Sequence, residues 1–373
     1  MSRTKALTIQ EALLRSDEFV WIDVRSELEY ERAHIPNAIN VPILCNEDRA
    51  AVGRAYKHEG REAAVMLGLS LVGPKFASIY QQLISIQHTQ NKKLLFYCWR
   101  GGLRSQIAST ITQWSGHPVF IITNGYKAFR HWVIETLQTP LNITLVAGHT
   151  GSGKTEILHL LKEKGHAIID LEKRANHKGS ALGGIGMQTQ PRNEMFENLI
   201  ALDYLPIKKN QTVYVENESR TIGQCAVPEG LWKQMQIAPS IEIQVPTHTR
   251  IERILREYGN LPKDQLITQT QKLRKRLGGQ HEQAAVEAHG LYDLSTFLPK
   301  KPTDVELKVI KEMFEASVDG QPYDTERWGQ YFRPAGVQAP AGAPTPATDE
   351  DTPAPAAKPA LKVSTPASDF DDE

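Results

Sequence analysis

Apolar residues along the chain switch between two spacings, and the switches mark out elements. Residues 9–14 place apolar side chains at helical intervals, and residues 19–24, apolar except for Asp23, read as a short buried strand. Residues 33–42 contain Pro36 and Pro42, which exclude a helix, and their apolar alternation suits a turn into another strand. Helical spacing returns over residues 62–69 and 75–87. An apolar run ending at Cys98 follows, then a helix from Ser105 onward and a strand over 119–122. Strands alternating with helices predict an α/β domain with a parallel sheet over residues 8–138.

A second alternation predicts another parallel α/β domain over residues 141–333. It has strands over 141–147, 166–170 and 212–216 and a helix over 156–161. Residues 178–186 hold four glycines and are too irregular for an element, so they suit a mobile substrate loop or a plain connection equally. Residues 248–256 and 271–276 are basic and helical. Solvated faces are the ordinary reading of such runs, with arginines over phosphates or on an RNA backbone as the functional ones. From residue 334 the chain is rich in proline, alanine and acid, which predicts a disordered tail over 334–373.

Composition refines this picture. At 373 residues the chain has room for about two domains of roughly 100–200 residues each. The formal net charge is zero, but residues 334–373 hold seven acidic residues against two lysines, so that tail carries −5 and residues 1–333 carry +5. The surplus permits a polyanionic partner. No signal-type apolar stretch follows the first five residues, and no window is expected to reach the length of a membrane span, which predicts a cytoplasmic protein without a membrane partner. Cys45, Cys98 and Cys225 are too far apart for a zinc knuckle and too few for a disulfide framework. Cys45 and Cys225 read as packing residues.

Cys98 reads differently. In Phe96-Tyr97-Cys98-Trp99-Arg100-Gly101-Gly102-Leu103-Arg104-Ser105 a buried strand feeds a cysteine, two glycines and a helix start. Loop N–H groups and the helix N-terminus would converge on the sulfur, and with Arg100 and Arg104 nearby they favour a thiolate. The second candidate is Gly148-His149-Thr150-Gly151-Ser152-Gly153-Lys154-Thr155, a full Walker A pattern between a strand and a helix. Gly148, Gly151, Ser152 and Gly153 shape a phosphate cradle, Lys154 reaches terminal phosphates, and the Thr155 hydroxyl suits Mg²⁺. Glu216 and Glu218 follow a strand beside this loop and suit either a metal-bound water or plain surface charge. Mg²⁺ is the one metal considered, and no tightly bound cofactor is expected.

Asp23-Val24-Arg25, Ala33-His34-Ile35-Pro36-Asn37-Ala38, the Cys98 loop and Asn124-Gly125-Tyr126-Lys127 together resemble a rhodanese domain. With the P-loop, Asn176-His177-Lys178-Gly179-Ser180 and Val215-Glu216-Asn217-Glu218-Ser219-Arg220, the whole resembles the bacterial tRNA 2-selenouridine synthases over roughly residues 10–330. The resemblance implies a selenium-for-sulfur exchange at the 2-thiouridine of the tRNA wobble position. The donor would be selenophosphate, brought by a possible supplier protein, and geranyl diphosphate would activate the sulfur. Cys98 then maps to the rhodanese nucleophile and is expected to carry selenium. Arg100, Gly101, Gly102 and Arg104 map to donors for the donor's phosphate, and residues 148–155 to a diphosphate cradle.

Five residues separate Cys98 from Arg104, against four in ordinary single-sulfur rhodaneses, and the wider loop suits a tetrahedral phosphate-sized group. The rival readings are a phosphatase or sulfurtransferase coupled to a P-loop nucleotide hydrolase, and a non-enzymatic binding module. Oligomeric state and the anticodon-reading residues have no sequence signal.

Overall fold

The computed structural model describes residues 4–258, 261–272 and 332–334. The first half runs β1 (Lys5–Leu7), α1 (Ile9–Leu14), β2 (Phe19–Asp23), α2 (Glu27–Arg32), β3 (Ile39–Asn40), α3 (Asn46–His58), α4 (Arg61–Val72), α5 (Phe76–Gln90), β4 (Lys93–Tyr97), α6 (Leu103–Gln113), β5 (Val119–Ile122) and α7 (Gly125–Thr136). Its strands form one parallel sheet in the order β1-β5-β4-β2-β3. Local chemistry starts the helices: Thr8 with Glu11 and Ser26 with Glu29 form capping boxes that satisfy the first N–H groups of α1 and α2. Val20, Ile22, Leu94 and Phe96 pack on one face of the sheet and Phe19, Trp21, Leu95 and Tyr97 on the other, as the two-residue period of a strand buried on both faces requires.

The second half runs β6 (Asn142–Gly148), α8 (Lys154–Glu163), β7 (Ala167–Ile169), α9 (Leu171–Ala175), α10 (Asn193–Asp203), β8 (Thr212–Glu216), β9 (Thr221–Ile222), β10 (Cys225–Ala226), α11 (Glu229–Ile237), β11 (Ser240–Ile243), α12 (Thr247–Tyr258), α13 (Lys263–Lys272) and β12 (Phe332–Pro334). Its main sheet has the order β12-β11-β6-β8-β7, parallel except for the β11–β12 pair, and β9 and β10 form a separate antiparallel pair. One hydrophobic cluster joins the halves, with Phe129 and Val133 of α7 and Phe196 and Ile200 of α10 in the same core. Polar contacts reinforce the seam. The buried Asn198 amide donates to His34 O and to Tyr126 Oη, each at 2.9 Å, and Tyr126 Oη donates to Glu194 Oε1 at 2.9 Å.

Several expectations need correction. Helix α6 begins at Leu103, two residues before Ser105. Helix α3 was not anticipated because Ala55 is its one buried residue, so it has no apolar stripe to read. The stretch Arg61–Gln90 is 30 residues long and apolar enough to cross a membrane, contrary to the sequence expectation. Here it is α4, a 3-10 turn and α5, and it packs Val72, Ile79 and Leu83 into the core on the sheet. Residues 273–276 of the second basic run and 335–373 of the tail lie outside the described residues.

Candidate functional site

Cys98 directly follows β4, at the carboxyl edge of the first sheet, and is 3% exposed. The Gly102 N–H donates to its Sγ at 3.1 Å, and the Ser105 hydroxyl lies 3.4 Å from Sγ while donating to Gly102 O at 2.9 Å. Gly102 is the N-cap of α6, so the sulfur faces the positive end of that helix. The loop is held from behind by the start of α7: Tyr126 N–H donates to Cys98 O at 2.8 Å and Lys127 N–H to Trp99 O at 3.0 Å. Glycine is required where these segments meet. Gly101 has φ +66°, and a Cβ there would come 2.9 Å from Ile122 O; Gly125 has φ +54°, and its Cβ would collide with Cys98 O.

Arg100 and Arg104 flank the cysteine loop. Neither Arg100 nor Arg104 is bonded to Sγ among the described contacts. Arg100 is exposed, and Arg104 pairs with Glu29 at 2.6 Å. Burial raises the Glu29 carboxyl, and the Arg104 ion pair more than offsets it, leaving Glu29 below its ordinary value. Asp23 and Arg25 form a buried pair at 2.6 Å beneath the loop, with Arg25 donating to Ala33 O at 2.8 Å and standing 4.0 Å over the Tyr126 ring. Residues 23–25, 33–38 and 124–127 thus build the seat on which the Cys98 loop rests.

The P-loop follows β6, at the carboxyl edge of the second sheet, where α/β sheets place ligands. Gly148, Gly151 and Gly153 all have positive φ, and Lys154 Nζ donates to Gly148 O at 3.1 Å. Ser152 Oγ is buried without a hydrogen-bond partner. Thr155 Oγ1 lies 2.7 Å from Glu216 Oε1 and 3.2 Å from Glu172 Oε2. Sequence reading missed Glu172, which becomes a site residue only through the β7–β8 pairing that brings α9 beside the loop.

Burial first, and the neighbouring Glu216 and Glu218 next, push the Glu172 carboxyl up to about 8. Burial is also the main cause that raises Glu216 and Glu218. Gly179, from the glycine-rich segment, lies so close that a Cβ would collide with the carboxylates of Glu172 and Glu218. No group of three or more His, Cys, Asp or Glu forms a metal cluster among the described residues. The donor set does suit Mg²⁺, which keeps waters and substrate phosphates in its shell: the Thr155 hydroxyl and the partnerless, fully buried Oε2 of Glu216 supply two oxygens.

The carboxylates give a stability prediction. The Glu216 carboxyl, raised by burial to about 7, holds its proton better in the native state, so the native state binds more protons and stability falls as pH rises from about 4.5 to about 7. Glu216→Gln is therefore expected to melt higher than wild type at pH 8 and to flatten the Tm profile across that window. Scanning calorimetry checks it, and parallel profiles for the two proteins would refute it.

Fold and loops together define a class: a rhodanese-like domain with a cysteine loop, joined to a P-loop domain. A rhodanese-like domain model matches residues 8–131, and a model of the tRNA 2-selenouridine synthase AAA domain matches residues 141–290. A tRNA 2-selenouridine synthase of Psychromonas ingrahamii is 31% identical over 306 residues, covering 80% of this chain and 79% of that one. One from Shewanella frigidimarina is 35% identical over 279 residues, with 73% and 71% covered. The chain belongs to the tRNA 2-selenouridine synthase family. The match to the Nitrosomonas europaea relative is 36% identical and spans 64% of this chain and 63% of the relative's length.

Proposed function

We propose that the chain replaces sulfur by selenium in the wobble 2-thiouridine of tRNA, taking selenium from selenophosphate after S-geranylation from geranyl diphosphate. The observation that carries this reading is the pairing, on one shared core, of a buried cysteine in an N–H-lined loop with a complete phosphate cradle. An S-geranyl group turns a poor leaving group into a good one, and the P-loop holds the diphosphate that delivers it. Mg²⁺, when bound through Thr155 and Glu216, would neutralise diphosphate charge. The tRNA backbone meets the body of the chain, whose residues 1–333 carry +5. Mass spectrometry of tRNA nucleosides from cells lacking the protein tests the proposal: loss of 2-selenouridine and geranylated 2-thiouridine supports it, and unchanged levels end it.

Electron counting divides the Cys98 step. A selenium-carrying Cys98 forms an S–Se bond and breaks Se–P, so the bonding pair leaves on phosphorus as phosphite, and a thiol reductant must later release the selenium. A second reading is favoured by the Ser105 hydroxyl 3.4 Å from Sγ and by the five-residue span to Arg104. Here selenium of the donor adds to C2 of the uridine and expels geranylthiolate. The Cys98 thiolate then attacks phosphorus, the P–Se bond breaks with its pair going to selenium, and water clears phosphate from the cysteine. Phosphorus NMR of the reaction decides between them, phosphite marking the first and phosphate the second. Hydrolysis of an aryl phosphate, or ATP turnover dependent on Lys154, without any change to tRNA would instead favour a phosphatase or sulfurtransferase coupled to a nucleotide hydrolase.

A further inference from the structure

Helix α12 lies on the P-loop and brings arginines with it. Arg250, Arg253 and Arg256 recur every three residues, which sets them along one side of the helix. A Cβ on Gly151 would come 2.7 Å from Arg250 O and 3.1 Å from Ile254 Cγ1, and one on Gly153 would collide with Arg253 Nη1. Loop and helix therefore touch at two of the three glycines that shape the cradle.

One buried nitrogen of each guanidinium lacks a hydrogen-bond acceptor among the described residues. The Arg253 side chain is 13% exposed, and its Nη1 lies 3.1 Å from Glu156 Oε2, an ion pair by distance but without the alignment of a hydrogen bond. Arg250 Nε and Arg256 Nε are also buried with no hydrogen-bond partner among the described residues. Buried donors without acceptors are costly, and three of them on one helix beside an anion cradle are accounted for by an anion that completes the set.

The helix is also tied to the other side of the loop. Ile185, Tyr258 and Leu266 form a small cluster of their own, separate from the main cores. Lys178 pairs with Glu257 at 2.7 Å, and Ser180 Oγ meets Tyr258 Oη at 2.8 Å. Residues 178–186 and α12 thus form one unit that covers the P-loop, with Gly179 against the carboxylates and Arg253 against Gly153.

Resting on the reading of the P-loop as a diphosphate site, we propose that α12 is an arginine lid. Arg253 contacts the oxygens of a diphosphate ester seated on residues 148–155, and Arg250 and Arg256 complete its neutralisation. In the geranylation step the thiocarbonyl sulfur bonds to C1 of the geranyl group and the C1–O bond breaks. The bonding pair passes to the pyrophosphate oxygen, and the uridine N3 proton goes to solvent. Negative charge grows on that oxygen as the bond breaks, where a planar guanidinium donates two N–H bonds that Lys154 alone does not provide.

Calorimetric titration of the full chain with inorganic pyrophosphate, with and without Mg²⁺, tests the lid. Arg253→Ala is expected to weaken binding about tenfold or more, and Arg253→Lys less, since a charged hydrogen bond is lost or made poorer. Lys154→Ala serves as the control. If it weakens binding while Arg253→Ala and the triple Arg250→Ala/Arg253→Ala/Arg256→Ala variant bind as wild type does, the lid is refuted and the diphosphate reading stands. If wild type binds no pyrophosphate, or Lys154→Ala binds as well as wild type, the diphosphate reading itself fails. A measurement on unaltered protein guards against misfolded variants: pyrophosphate is expected to slow trypsin cleavage after Arg253 and Arg256. Equal cleavage with and without it, where calorimetry shows binding, overturns the lid.

Discussion

Cys98→Ser is expected to abolish selenium incorporation into tRNA, by on the order of a thousandfold or more, while S-geranylation of 2-thiouridine continues at close to the wild-type rate. The substitution removes one atom type and little volume at a residue that is 3% exposed, so the fold should survive it. The Gly102 N–H loses sulfur as its acceptor and can donate to the serine oxygen instead, while the Ser105 bond to Gly102 O and the bonds from the start of α7 hold the loop without the sulfur. A serine hydroxyl, however, is a weak nucleophile without a base beside it, and among the described contacts the reacting atom meets the Gly102 amide and carbonyl and the Ser105 hydroxyl, none of them a general base. Nucleoside mass spectrometry after incubation with 2-thiouridine tRNA, selenophosphate and geranyl diphosphate should therefore show geranylated 2-thiouridine accumulating without 2-selenouridine. Loss of both products together would contradict the separation of the two chemistries. Retention of both would remove Cys98 from the reaction.

What the sequence disclosed and what it withheld follow a physical line. Cys98 with its glycines, and residues 148–155 with their flanking strand and helix, are legible because each is a contiguous loop whose chemistry is made by neighbours in sequence. The helix over 156–161 and the strands over 119–122 and 212–216 were legible because each has a strongly apolar buried face. Partners that meet only in space were not. The Glu29 carboxylate of α2, 2.6 Å from Arg104, had no signal in the loop's own sequence. Glu172 has no motif of its own and enters the P-loop site through strand pairing. For Arg253 the sequence left a solvated face and a place over phosphates both open, and only the tertiary structure sets its guanidinium against Gly153.

The seam between the halves depends likewise on a tertiary meeting. Tyr126 holds Cys98 O with its amide and Glu194 with its hydroxyl, so one residue of α7 serves both the cysteine loop and the contact with α10. The resemblance picked out Tyr126 as part of a pattern; its double bonding supplies the reason.

Lys154→Ala is expected to show the opposite separation from Cys98→Ser: geranylation falls by about a hundred- to a thousandfold, while tRNA already carrying geranylated 2-thiouridine is still converted to 2-selenouridine. In the absence of a diphosphate the Lys154 ammonium donates to Gly148 O at 3.1 Å, a bond within its own loop. Its removal leaves a carbonyl at the rim of a partly exposed site, so the loss of stability should be small. The loss of function should be large, because the charge that develops on departing pyrophosphate then has only backbone N–H groups and the arginines of α12 to receive it. Supplying chemically geranylated tRNA with selenophosphate isolates the second half-reaction. If Lys154→Ala fails there as well, the P-loop acts in selenium transfer too, and the assignment of one chemistry to each loop gives way to a single composite site.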